Sequence, residues 1–147
     1  MQKKAIRIIN NAKYNAHTEP LFKNSGILPL PKLIEFFNLQ FMQHFTQGFL
    51  PISFNNVWTT NEERRAEIHH ILRNSSDLTI PFTRLASLSK HPFVNLPKTW
   101  IDFKNENIKI LRNKIEFKTN LKKHFLNELS STVRCDRLLC PTCHLNA

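Results

Sequence analysis

Leu30, Leu33, Ile34, Phe37, Phe41 and Phe45 recur at spacings of three and four along one stretch of chain. On an α-helix that spacing puts apolar side chains on one face, whereas a strand would need strict alternation. Phe36, Leu39 and Met42 widen the face, so the stretch reads as a central helix buried on most sides, running from about Pro31 to Gln47 with Gly48 as its stop. The other segments must pack around it. The chain has 147 residues, 41% of them hydrophobic and twelve of them Phe, which is enough for one domain-sized core. It has eight prolines but only two glycines, which argues against a β-rich fold that turns about every ten residues. The expected fold is mostly α: a small helical bundle with extended, Pro-containing connectors and a Cys/His tail.

The flanking segments fill in this outline. Ala5, Ile8, Ile9 and Ala12 form a short apolar helix face, with Lys3, Lys4, Arg7 and Asn11 behind it. Thr18-Glu19-Pro20 offers an N-cap followed by Pro in the first turn, and Gly26 offers a stop, so Glu19 to Asn24 is expected to be helical. Leu50-Pro51 opens a loop, and Thr60 to Glu63 has the capping-box form that opens a helix through Leu72 on Ile68, Ile71 and Leu72. His69 and His70 project about 100° apart on such a helix and read as surface or packing residues. Asn74 to Asp77 reads as a turn, Leu78 to Leu85 as an edge strand or extended segment around Pro81, and His91 to Trp100 as an extended apolar connector. After Asp102 the pattern is helical again. Phe117, Leu121, Phe125 and Leu129 stand at strict intervals of four, flanked by Lys114, Lys118, Lys122 and Lys123. The organisation expected is a helical region over residues 1–129, loop-rich at 49–60 and 78–103, and a basic Cys/His tail over residues 130–147.

Charge narrows the function. The formal net charge is +10, with an excess of +5 in residues 1–34, none in 35–97 and +5 in 98–147. Two basic ends around a neutral, Phe-rich middle suggest phosphate-facing surfaces at the ends and a core-forming centre, set against the plainer reading of a solvated Lys-rich surface. The densest apolar stretch, Ile27 to Phe45, is interrupted by Lys32, Glu35, Asn38, Gln40 and Gln43, so no membrane span is expected. The start, Met-Gln-Lys-Lys-Ala-Ile-Arg, has no apolar h-region. An intracellular location, nuclear or cytoplasmic rather than secreted, is therefore expected, in a reducing environment where cysteines are read as metal ligands or free thiols before disulfides.

The three cysteines, Cys135, Cys140 and Cys143, close the chain with His144 as Cys-x4-Cys-x2-Cys-His. Two thiolates separated by two residues can share one cation at about 2.3 Å, and a structural zinc site needs four ligands. His144 directly follows Cys143, which strains both as ligands, so His124 is an alternative fourth. The spacing differs from a retroviral zinc knuckle, Cys-x2-Cys-x4-His-x4-Cys. Zinc and free thiols both stand as readings of the tail. No base and nucleophile stand at a meaningful spacing, and two isolated glycines, Gly26 and Gly48, cannot form a Gly-rich phosphate loop, so a standalone enzyme is not expected.

The order of the segments resembles a known family. Gln2-Lys-Lys-Ala-Ile-Arg-Ile-Ile9, His17-Thr-Glu-Pro-Leu-Phe22, Ile27-Leu-Pro-Leu30 before a Phe-rich helix, Phe82-Thr-Arg84, Pro92-Phe-x-x-x-Pro97-x-x-Trp100, and the pairs Phe117-Lys118 and Leu121-Lys122 follow one another. Together they resemble the post-palm, thumb-like region of jockey-like non-LTR retrotransposon reverse transcriptases. The resemblance implies a mobile-element, RNA-directed DNA polymerase whose upstream portion would be this chain's partner. It also implies RNA and DNA backbone contacts through Lys3, Lys4, Arg7, Lys13, Lys114, Lys118, Lys122 and Lys123. The family's catalytic centre uses a Tyr-x-Asp-Asp turn and a further Asp to hold two divalent metals. Here the aspartates are Asp77, Asp102 and Asp136, none adjacent to another, so the chain is expected to be an inactive fragment of a longer polyprotein.

Two other readings compete with this one: a host-used, zinc-stabilised module that binds a protein through exposed aromatics around Phe93 and Trp100, and a remnant without a role. Elemental analysis of purified protein separates zinc from free thiols. Stoichiometric zinc that is lost in Cys140→Ser is the outcome expected of a zinc site, and metal-free wild-type protein the outcome expected of free thiols.

Overall fold

Three helices end in the same way, and their endings set the path of the chain. The computed structural model describes residues 1–64 and 77–131, and over these the protein is mostly α. Helix α1 (Gln2–Ile9) closes with Asn11 in the left-handed region at φ 48°, α2 (Thr18–Asn24) with Gly26 at 62°, and α3 (Leu30–Thr46) with Gly48 at 70°. In each, paired backbone bonds complete a Schellman cap: Ala12 N to Arg7 O (2.9 Å) with Asn11 N to Ile8 O (3.1 Å), Ile27 N to Phe22 O (2.9 Å) with Gly26 N to Lys23 O (2.9 Å), and Phe49 N to His44 O (2.8 Å) with Gly48 N to Phe45 O (3.0 Å). The third cap adds a ring contact, because the Phe49 ring meets the His44 ring edge-on at 6.3 Å. Gly26 and Gly48 thus stop their helices as expected, though α2 begins one residue early, with His17 rather than Thr18 at its N-cap.

Among the described residues the remaining helices are α4 (Asn61–Arg64), α5 (Ala86–Ser89), α6 (Pro92–Asp102), α7 (Glu106–Lys109) and α8 (Lys114–Ser131), with a 3₁₀ turn at Ile52–Phe54 and no strand. The capping box is formed: Thr60 N donates to Glu63 Oε2 at 2.9 Å, and Glu63 N donates to Thr60 Oγ1 at 3.2 Å. The rest of the expected helix, with Ile68 to Leu72 and the two histidines, and the expected turn from Asn74 to Ser76 lie outside the described residues. Leu78 makes an isolated antiparallel bridge to Thr60, so this segment is extended without being a strand.

The chain divides into two compact units. The first combines residues 1–34 with those from 118 onward, the second is residues 35–117, and α3 and α8 each contribute to both. In the first unit Ile6, Leu21, Phe22 and Leu129 form a core against which Ala12 and Leu126 pack. The expected face of α1 is corrected here. Ile6 is buried, while Ile8 and Ile9 are exposed, because polar anchors choose the orientation. Gln2 Oε1 accepts from Leu30 N (2.9 Å), and Asn10 Nδ2 donates to Ser25 Oγ (3.0 Å), which turns the Ile6 side inward. On α8 the expected line is borne out: Phe117, Leu121, Phe125 and Leu129 are all buried.

In the second unit Met42, Trp58 and Leu78 are the buried centre. Trp58 meets Phe45 and Phe41 edge-on, at 5.0 and 6.3 Å, and stacks on Phe93 at 5.8 Å. Leu39, Met42 and Gln43 of α3 are sealed from solvent, whereas Leu30, Ile34 and Phe37, placed on the expected stripe, are exposed. The residues read as widening the stripe are therefore its buried side. Gln43, read as an interruption, donates through Nε2 to Leu111 O at 3.2 Å, and its Oε1 has no hydrogen-bond partner.

The extended connector expected over His91 to Trp100 is helix α6. Pro92 occupies the first turn, where a missing N–H costs nothing, and the His91 ring accepts from Phe93 N at 3.3 Å. Pro97 lies inside the helix and has no N–H for the carbonyl four residues back, that of Phe93. That carbonyl is satisfied from elsewhere: Trp58 Nε1 donates to Phe93 O at 2.8 Å.

Two outcomes follow. Trp58→Phe keeps an aromatic ring but orphans the Phe93 carbonyl, and is expected to cost about 1–3 kcal/mol in urea unfolding. Part of that loss should return when Pro97→Ala restores a helical donor, so the double-mutant cycle should show coupling of about 1 kcal/mol. Gly48→Ala meets open space but must hold a positive φ, and is expected to lower stability by about 1 kcal/mol, with Gly48→Asn less costly.

Candidate nucleic-acid interface

The basic N-terminal end and the part of the C-terminal end from Lys118 onward belong to one unit, while residues 98–117 belong to the other. Contacts of Leu129 with the Ile6, Leu21 and Phe22 core bring α1 and α2 onto the C-terminal part of α8. In the described residues of this unit, nine Lys/Arg face two acids, Glu19 and Glu128; in the other unit, eight Lys/Arg face seven acids. The positive excess is therefore a property of one body.

Helix α8 forms because its apolar residues repeat every four positions and its exposed positions hold good helix formers. Burying Phe117, Leu121, Phe125 and Leu129 leaves Lys118 and Lys122 exposed along one flank at an interval of four, with Lys123 about 100° further round. On α1, Lys3 and Lys4 are exposed, and Lys13 is exposed in the turn that follows. These six lysines make no ion pair with any described residue.

Two of the expected phosphate contacts have other roles. Arg7 is half-buried and donates through Nε to Ala16 O at 2.8 Å, which fixes the turn after α1. Lys114 belongs to the second unit, where its Nζ stands 4.3 Å from the centre of the Phe49 ring. Lys32 is also engaged, 2.8 Å from Glu128 Oε2 and 5.1 Å from the Phe125 ring centre. Sequence reasoning passed over Lys23, exposed in the last turn of α2 and in the same basic unit; the Gly26 stop that places it at a helix end was its signal.

Cys135, Cys140, Cys143 and His144 lie outside the described residues. The alternative fourth ligand, His124, is half-buried with its ring 5.8 Å from that of Phe125. Among the described residues no three His, Cys, Asp or Glu side chains group to hold a metal. No described helix is long and apolar enough to cross a membrane. Of the aromatics proposed to bind a protein partner, Phe93 stacks one face on Trp58 yet remains exposed, and Trp100 is half-buried beside Phe117 with the Lys109 ammonium 5.7 Å from its ring centre. The second unit also holds a cavity of about 730 Å³ between Phe45, Trp58, Trp100, Asp77 and Glu106, which no sequence pattern announced.

Lys114 does have an electrostatic effect within its own unit. Burial first, and the nearby Lys114 charge second, hold the His44 imidazole below its ordinary pKa of 6.5. As pH falls through 6.5 the unfolded chain takes up this proton before the folded one does, so the stability contributed by neutral His44 is full above that value and lost as pH drops toward the folded pKa. Urea midpoints measured from neutral to mildly acidic pH should fall in wild type and fall less in His44→Gln, with Lys114→Met between them. Comparison with protein-family models, with curated proteins and with solved structures finds no match to this chain, so the reading of the interface rests on its own residues.

Proposed function

We propose that this protein binds the sugar-phosphate backbone of RNA and DNA without sequence preference, as the post-palm, thumb-like portion of a non-LTR retrotransposon reverse transcriptase that carries no catalytic centre of its own. The observation that carries the binding is the gathering of seven exposed lysines in one unit, whose described residues hold nine basic side chains against two acids. The ordered segments from Gln2 to Leu121 support the family, and scattered Asp77, Asp102 and Asp136 support inactivity in isolation. The remaining polymerase, with its two metal ions, would be supplied by an upstream portion.

The chemistry is counterion release. Each lysine that neutralises a phosphate frees a condensed cation, so affinity falls steeply with salt and carries no base information. Lys118 and Lys122, an interval of four apart on α8, and Lys3, Lys4 and Lys13 on and after α1 are the contacts assigned. Lys123 adds charge on an adjacent face.

Fluorescence anisotropy on labelled duplex and single-stranded oligonucleotides tests this. Wild-type protein should bind at about 50 mM salt with an affinity that drops roughly a hundredfold or more by 200 mM. Lys118→Glu with Lys122→Glu should weaken binding about tenfold or more on every sequence alike and flatten the salt slope by about two. The same change of net charge in the second unit, Lys98→Glu with Lys104→Glu, should have a much smaller effect. Absence of binding at low salt, or equal losses from the two pairs, would refute the assignment.

A further inference from the structure

We propose that Tyr14 is a stacking platform for a nucleobase, so that the basic unit prefers single-stranded over duplex nucleic acid; this rests on the backbone-binding reading above and adds a base contact to it. Tyr14 is the chain's one tyrosine, and its side chain is almost wholly in solvent, at 89% exposure. A phenol ring left this open gives up the hydrophobic gain that burial would supply. The ring is nevertheless presented on a backbone that is held on both sides.

Tyr14 and Asn15 are the central residues of a turn closed by Ala16 N donating to Lys13 O at 3.0 Å. On the near side, Ala12 N donates to Arg7 O at 2.9 Å, Asn11 takes the left-handed conformation at φ 48°, and Ala12 packs on the Ile6 core. On the far side, Ala16 is buried and its carbonyl accepts from Arg7 Nε at 2.8 Å. The arginine that sequence reasoning assigned to phosphate thus braces the turn that carries Tyr14. With the backbone fixed, only two side-chain torsions remain to be ordered when the ring meets a ligand, which keeps the entropic cost of stacking low.

The surroundings choose the ligand. Lys13 is exposed beside Tyr14, and Lys3 and Lys4 are exposed on the helix that leads into the turn. Cations flanking an open aromatic face match the alternation of phosphate and base in an unpaired strand, where stacking adds affinity for any base. A duplex offers its phosphates but keeps its base faces stacked. Phe82 is as exposed as Tyr14 at 89%, but it belongs to the unit whose charges nearly balance, so it supplies a matched control.

The experiment uses the full chain with oligo(dT) and a mixed-sequence duplex of equal charge, read by anisotropy at one salt concentration. Tyr14→Ala is expected to weaken oligo(dT) binding about tenfold. Duplex binding should stay within about twofold, Tyr14→Phe should retain wild-type affinity for both, and Phe82→Ala should change neither. Equal losses on both ligands, or no loss on oligo(dT), would overturn the stacking role while leaving backbone binding intact. Failure of wild-type protein to bind either ligand would overturn both readings. Circular dichroism and the urea midpoint of Tyr14→Ala, expected to match wild type because the ring touches solvent, exclude loss through misfolding.

Discussion

One hydrogen bond organises the second unit: the Trp58 indole N–H on the carbonyl of Phe93. It exists because Pro97 withholds the donor that a regular helix would give that carbonyl. Leaving the indole N–H of buried Trp58 without a partner would be costly, and so would leaving unpaired a carbonyl that Pro97 cannot serve, so each satisfies the other in this part-buried bond. Directionality comes with the bond. It fixes which way the Trp58 ring faces, and that ring then gathers Phe41 and Phe45 of α3 edge-on and Phe93 of α6 face-on. The segment between α3 and α4, without regular structure except for one 3₁₀ turn, is thereby tied to two helices.

How much of this was legible depended on whether the cause was local. The Gly48 stop, the capping box at Thr60 and Glu63, and the buried line of α8 are each specified within a few residues, by φ preference, by side-chain reach or by the 3.6-residue period. Helix α6 was misread because two prolines normally argue against a helix. The compensation for Pro97 comes from a tryptophan 39 positions earlier, and nothing in the local sequence signals it. The face of α1 was misread for a related reason. Over eight residues Ile6 and the pair Ile8 and Ile9 offer rival apolar sides, and the choice is made by Gln2 and Asn10 bonding to partners beyond the helix.

The site was partly legible too. The lysines were visible as residues, and their exposure on α8 followed from the apolar line beside them. Their collection into one body was not visible, because it depends on Leu129 packing against Ile6, Leu21 and Phe22, contacts between the two ends of the chain. Read linearly, the charge distribution is symmetric about a neutral middle. In the fold it is lopsided, with one unit strongly basic and the other nearly balanced. Packing also reassigned Arg7 and Lys114, whose cationic groups serve a backbone carbonyl and an aromatic ring. A positive residue in sequence is a free positive charge only when no neighbour in the fold has claimed it.

Crowding nine cations with two anions into the described residues of one unit has a mechanical side. Like charges at close quarters push against the packing that holds them, and dissolved ions soften that push. Rising ionic strength therefore tightens this unit as a folded body, and under the proposed binding it would at the same time loosen the hold on a polyanion. A polyanion bound as proposed would take over the part of the dissolved ions, and the unit would then be most firmly folded when occupied.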